Sequence, residues 1–268
     1  MSAPIPAWVV TGPLGCGKTT LIAGLLAAKP ADEHWAVLLN EFTDAGIDAL
    51  TVAAAARGPY DVRLIPGGCL CCAGEADFRR TLQELVAGPR PARIIVEPSG
   101  IGHPAGIVEE LLAHQAAGGI ALECVLGLVD PATLAAGVDA ERDGLARATA
   151  EIADVLALAK ADLATPAQRA AFEDTAAALF PPKRGIGTVE HGRLTEGLMT
   201  APGARAPRAL PPRPQAHSHE HAHAADHGSA EVVAVATASA LPWSAACSRP
   251  WACACDEGVA AAAAGAFP

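Results

Sequence analysis

Aromatic residues make up only 4% of this 268-residue chain, with five Phe, four Trp and one Tyr, so ring stacking cannot carry its core. Packing must rest on Leu, Ile, Val and Ala, which a hydrophobic content of 51% supplies in quantity. Positive charge is also scarce: 19 Lys and Arg stand against 29 Asp and Glu, a net charge of −10, and the basic residues form no cluster. That balance excludes the electrostatic footprint of a nucleic-acid binder. Long apolar runs are missing, and the Ala-rich stretch at 259–264 is far too short to cross a membrane. The N-terminus lacks the basic-then-apolar order of a secretion signal, and no internal repeat is visible. These absences predict a cytoplasmic protein with neither nucleic acid nor membrane as partner. In that compartment eight cysteines read as thiols or metal ligands rather than disulfides.

What is present is concentrated first in the octet Gly12-Pro13-Leu14-Gly15-Cys16-Gly17-Lys18-Thr19, a complete G-x-x-x-x-G-K-[ST] phosphate loop. An apolar run at 8–10 precedes it and a helical pattern starting at Thr20 follows. Glycines let backbone N–H groups turn inward around phosphate oxygens, and the helix N-terminus adds its positive dipole end. Lys18 would reach the β- and γ-phosphates and the Thr19 hydroxyl would ligate Mg²⁺. Gly12, Gly15, Cys16, Gly17 and Thr20 complete the expected contact with a nucleoside triphosphate.

For roughly the first 190 residues, apolar strands alternate with helical patterns, the signature of a mostly parallel sheet with helices on both faces. Strands are predicted at 8–10, 36–39, 62–65, 93–96, 124–129 and 155–159, and helices at 19–28, 76–87, 105–113, 131–136 and 166–179. The expected organisation is an α/β P-loop domain at 1–200, a Pro-rich then His-rich linker at 201–228, and a short C-terminal remnant at 229–268. Within the remnant, 231–235 reads as a strand, with poor order expected after 236.

Two further motifs narrow the nucleotide chemistry. The apolar strand Arg93-Ile94-Ile95-Val96 ends in Glu97, followed by Pro98-Ser99-Gly100. An acid at that strand end would hold the Mg²⁺ shell, and Gly100 can lend a backbone N–H to the γ-phosphate. The second motif is Ala159-Lys160-Ala161-Asp162. Guanine sites use Asn-Lys-x-Asp there, with the Asp accepting from the guanine N1–H and exocyclic amine and the Lys stem lying over the base. Asp162 and Lys160 fit those roles, whereas Ala159 cannot hydrogen-bond the base. Discrimination rests mainly on the Asp, so guanine preference is expected to persist but weaken.

Pro66-Gly67-Gly68-Cys69-Leu70-Cys71-Cys72 places three thiols within four residues after a strand. Thiolates at that density suit Zn²⁺ or Co²⁺. Adjacent Cys71 and Cys72 tend to diverge, so a further ligand must come from elsewhere. Taken in order, the phosphate loop, Asn40-Glu41-Phe42, Gly46-Ile47-Asp48, Cys69-Leu70-Cys71-Cys72, Glu97-Pro98-Ser99-Gly100 and the x-Lys-x-Asp tetrad resemble the CobW-like family of metallochaperone GTPases. The resemblance covers about residues 5–200, and the C-x-C-C after a phosphate loop is its most specific element. It implies a G domain that binds and slowly hydrolyses GTP with Mg²⁺, and a transition metal, Zn²⁺ or Co²⁺, at Cys69, Cys71 and Cys72. It also implies Glu41 as an oxygen ligand, with Asp44 as a weaker candidate, and His103, just after the acid motif, is placed to approach nucleotide or metal. The partner would be a client metalloprotein or an enzyme of metal-cofactor synthesis, and homo-oligomerisation is left open.

Five of nine histidines lie between His217 and His227, and His217, His219, His221 and His223 alternate. Neutral imidazoles suit Zn, Ni, Co and Cu, so the run reads as a metal-loading segment. Near the C-terminus, Cys247 and the Cys253–Cys255 pair form a weaker thiol pattern. Two other readings stay open from the residues: a P-loop small-molecule kinase with a structural Cys cluster, and a passive His-rich metal reservoir. No arginine finger or catalytic glutamine is identifiable, so slow hydrolysis is expected.

Overall fold

Val9 and Val10 are adjacent, point to opposite faces of one strand, and are both fully buried. A strand with two buried faces needs helices on both sides and neighbours on both edges, and the computed structural model supplies them. It describes residues 3–40, 57–65, 74–99, 104–131, 140–180, 182–200 and 234–237. All of these belong to the compact unit Met1–Ala238.

The chain runs β1 (Ile5–Thr11), α1 (Lys18–Ala28), β2 (Trp35–Asn40), β3 (Tyr60–Ile65), α2 (Gly74–Ala87), β4 (Arg93–Glu97), α3 (Ala105–Ala116) and β5 (Ile120–Val129). It continues through α4 (Ala140–Ile152), β6 (Val155–Leu158), α5 (Pro166–Ala178), β7 (Gly185–Glu190) and β8 (Arg193–Leu194), and β9 (Ala234–Thr237) closes the list of described strands. Nine described strands form one sheet in the order β8-β7-β6-β5-β1-β4-β2-β3-β9. Neighbours from β3 to β7 are parallel, while β8 and β9 pair antiparallel at the two edges. The mostly parallel sheet with helices on both faces is thus as the alternating pattern predicts.

Two cores follow from the two-residue period of the strands. On one face Val10, Val37, Leu39 and Ile95 pack under Leu21, Ile22 and Leu26 of α1. On the other, Val9, Leu38, Ile94 and Val96 pack under Phe78 and Leu82 of α2 and Ile107 and Leu111 of α3. Each such buried aliphatic contributes roughly 2 kcal/mol, so the scarcity of rings costs the core little. The rings that exist are clustered: Trp8 and Trp35 meet edge to face at 5.7 Å, with the Arg93 guanidinium 3.7 Å above the Trp8 ring. Glu123 accepts from both the Trp8 indole N–H and Arg93, at 3.1 and 2.7 Å.

Six predicted strands appear with ends shifted by a few residues, and the predicted helices at 19–28, 76–87, 105–113 and 166–179 correspond to α1, α2, α3 and α5. α5 starts where chemistry demands. Thr165 accepts from the Gln168 backbone N–H, the Gln168 side chain returns to the Thr165 N–H, and Pro166 sits at N1. The helix expected at 131–136 lies almost wholly outside the described residues. Of the strand expected at 231–235, residues 234 and 235 fall in β9, residues 231–233 lie outside the described residues, and nothing after 237 is described. α4, β7 and β8 are additions. The first is rich in charge and alanine, and β7 is a short half-exposed segment with two glycines, so neither shows a clear period. Among the described residues no helix is long and apolar enough to cross a membrane.

Candidate nucleotide site

In an open parallel sheet, ligands settle beyond the carboxyl ends of the strands where the winding direction reverses. Here that point lies beside β1, whose neighbours β4 and β5 belong to the two oppositely wound halves. The phosphate loop leaves β1 at this point. Gly17 is the N-cap of α1 with φ 93°, a left-handed conformation natural to glycine, and α1 has no side-chain cap and no acid in its first turn. Its leading N–H groups therefore find no side chain of their own helix, the arrangement that suits an anion.

Lys18 is buried, and its ammonium donates to the carbonyls of Gly12 at 3.1 Å and Pro13 at 3.2 Å. The Thr19 hydroxyl donates to both carboxylate oxygens of Glu97, at 3.1 and 3.3 Å. Glu97 ends β4, adjacent to β1, and is itself buried. One hydroxyl and one carboxylate 78 residues apart in sequence thus converge beside the phosphate loop. This oxygen pair is the donor set a hard divalent cation such as Mg²⁺ prefers, so the residues fit that ion.

Cys16 packs beneath the loop with its sulfur 2.8 Å from where a Cβ on Gly12 would stand. Burial pushes its thiol from the ordinary 9.0 to about 11, against the smaller pull of Lys18. Cys16 is therefore a neutral packing group near neutral pH, and neither nucleophile nor thiolate ligand.

The residues expected at the base lie at the end of β6. Asp154, almost fully buried just before that strand, accepts from the Val125 N–H at 2.8 Å and ties β6 to β5. Ala159 is fully buried, and its backbone N–H donates to Val129 at 2.8 Å. Lys160 follows in a left-handed conformation, φ 48°, and its ammonium pairs with Asp130 at 2.8 Å. Asp162 lies in the 3₁₀ turn Ala161–Leu163, and the His191 ring nitrogen Nδ1 stands 3.7 Å from its carboxylate.

Of the predicted site residues, the structure therefore groups Gly12, Gly15, Cys16, Gly17, Lys18, Thr19 and Thr20 with Glu97, and places Lys160 and Asp162 at the end of β6, two strands from β1. Glu41, Asp44, Cys69, Cys71, Cys72, Gly100, His103, the histidines 217–223 and Cys247, Cys253 and Cys255 lie outside the described residues. Among the described residues no group of three metal-ligating side chains occurs. Sequence reasoning missed Asp130 and His191. The first carried the same signal as Glu97, an acid closing an apolar strand. The second had only a His-Gly pair between two weak strands.

A crossover sheet with an uncapped phosphate loop and a Thr–carboxylate pair defines a P-loop nucleotide-binding protein. More narrowly, the chain belongs to the CobW/HypB/UreG family: residues 6–184, well over half of it, match the family model for the nucleotide-binding domain. It is 35% identical over 213 residues to the zinc chaperone YeiR of Escherichia coli, covering 80% of this chain and 63% of that protein. It is 28% identical to the zinc chaperone CobW of a Sinorhizobium species, covering 83% of this chain and 70% of the relative. Among solved structures, the Zn(II)-bound YjiA GTPase of E. coli superposes with a TM-score of 0.50 at 25% identity, over 75% of this chain and 62% of the other. The chain thus spans a little under two thirds of the length of YeiR and of YjiA.

Proposed function

We propose that this protein binds GTP with Mg²⁺, hydrolyses it slowly, and uses nucleotide state to control a transition metal, Zn²⁺ or Co²⁺, destined for a client metalloprotein or cofactor pathway. The observation that carries the nucleotide half is the convergence of Thr19 on Glu97 beside the buried Lys18. Water attack on the γ-phosphate yields GDP and inorganic phosphate. Lys18 exchanges its two loop carbonyls for phosphate oxygens and neutralises charge there, while the α1 N–H groups take up the rest. Thr19 and Glu97 would hold Mg²⁺, which would supply Lewis-acid charge neutralisation when bound. Asp162 accepts from the guanine edge and Lys160 lies over the base.

The metal half rests on chemistry in the sequence and on relatives named zinc chaperones. Cys69, Cys71 and Cys72 provide thiolates and Glu41 an oxygen, and the alternating histidines 217–223 offer a loading segment. Both ligand groups up to Cys72 fall between the phosphate loop and Glu97, the stretch in which G proteins keep their γ-phosphate sensors. Metal affinity would then depend on the nucleotide, and by linkage the nucleotide on the metal.

The test is GTP turnover with and without one equivalent of Zn²⁺ or Co²⁺, in the unmodified protein and in a Cys69→Ala/Cys71→Ala variant. Turnover altered by metal in the first and indifferent in the second is expected. Turnover indifferent to metal in both leaves a plain nucleotide hydrolase and ends the chaperone function.

A further inference from the structure

The turn joining β7 to β8 is two residues long: Glu190 pairs with Arg193 across it, and His191 and Gly192 both take positive φ, 48° and 75°. That is the turn geometry that continues strand twist without splaying the strands. The turn is wedged between two parts of the nucleotide site. On one side the Gly192 carbonyl lies against Gly24 of α1, where an added Cβ would come within 2.1 Å of it, and Gly192 itself faces the Thr20 carbonyl. On the other side Arg169 of α5 donates both to the Ala161 carbonyl, inside the Lys160–Asp162 turn, and to Glu190 at 3.2 Å. Thr195 receives the Thr188 N–H at 2.9 Å and braces the hairpin stem.

Held this way, the His191 ring has its Nδ1 3.7 Å from Asp162 Oδ2. The separation is a little beyond a hydrogen bond and within reach of one after a small rotation. The ring is 81% exposed and the Asp162 carboxylate 23% exposed, so it is the turn that holds the ring beside this carboxylate. Each carboxylate oxygen has two acceptor positions. The guanine N1–H and exocyclic amine use one position on each oxygen, which leaves an outer position on Oδ2 for an imidazole N–H.

Resting on the guanine-nucleotide function proposed above, we infer that His191 is a positioning residue for base selection. Its Nδ1–H closes on the outer lone pair of Asp162 and fixes the carboxylate plane against the guanine edge. It thereby offsets part of the selectivity lost with Ala159, which leaves Asp162 as the one hydrogen-bonding side chain of its tetrad that reads the base. Adenine presents a ring acceptor and an amine at the corresponding edge, so a fixed carboxylate favours guanine and does nothing for adenine.

Two substitutions separate the ring from the backbone. Gly-Gly and Asn-Gly are both preferred in this turn, so His191→Gly and His191→Asn keep the hairpin; glycine removes the donor, whereas the asparagine amide N–H stands near the position of Nδ1. Calorimetry with GDP and ADP, plus a thermal melt of each variant, reads the result. His191→Gly is expected to weaken GDP binding about fivefold with ADP unchanged, and His191→Asn to restore GDP to within about twofold. Equal losses for GDP and ADP, or no loss in His191→Gly, overturn the inference. An unmodified protein that binds both nucleotides alike removes the guanine function itself, and a protein that binds neither removes the nucleotide site.

Discussion

The two ends of the nucleotide site are built on different plans. At the phosphate end, eight consecutive residues and one acid from an adjacent strand suffice, and both Lys18 and Glu97 are buried. At the base end, Asp130, Lys160, Asp162, Arg169 and His191 arrive from β5, the turn after β6, α5 and the β7–β8 turn, and several keep substantial exposure. A contiguous motif suits what every nucleotide has in common. In the proposed function it is the surface assembled from dispersed segments that tells one nucleotide from another, and it is also where this chain departs from the usual pattern, at Ala159. Substitution at each end should therefore fail in a different way.

The largest effect is expected from Lys18→Ala. It removes a buried ammonium that neutralises phosphate charge, so turnover should fall by about 10³-fold or more, and binding of GTP and ATP should weaken together. Single-turnover kinetics with both nucleotides checks this. Asp162→Ala should act at the other end only. GDP affinity should fall by about 10²-fold with ADP affinity within a factor of about two, as competition titration would show. Equal losses from both substitutions would erase the distinction between the ends.

A smaller effect concerns Cys16. Its folded thiol pKa, about 11, lies above the unfolded value of 9.0, so the folded state holds that proton more tightly. Its contribution to stability is fully present below pH 9 and is lost as pH rises through about 11, an effect of order 3 kcal/mol at most. Melting temperatures of the unmodified protein and of Cys16→Ala should converge between pH 9 and 11. Parallel curves would show that the thiol titrates freely.

The same contrast explains what the sequence made legible. Strands β1, β2, β4, β5 and β6 are apolar on both faces, and each announces itself as a run of Val, Ile, Leu and Ala bounded by turn residues. The phosphate loop and Glu97 are legible for a related reason: one is contiguous, and the other is a charge where an apolar strand stops. β7 and β8 were not legible, because a half-exposed edge strand with two glycines needs little hydrophobic pattern. His191 was hidden with them, since only the folded hairpin carries it 29 positions back along the chain to Asp162. Asp130 shows the opposite case, a signal that was present and went unread. The tetrad lays the Lys160 stem over the base, whereas the pairing of its ammonium with an acid 30 residues earlier is a matter of sheet order, which no local pattern states.

The central position of β1 has a consequence for the moment of synthesis. β1 is made well before both of its sheet partners, β4 and β5, which begin at Arg93 and Ile120. At bacterial or eukaryotic elongation rates, about ten seconds pass before both have been made. Until then a strand apolar on both faces lacks one or both of its neighbours, and the loop beside it has no Glu97 to meet until β4 is made. The nucleotide site can therefore assemble only after the sheet has closed on both sides of β1.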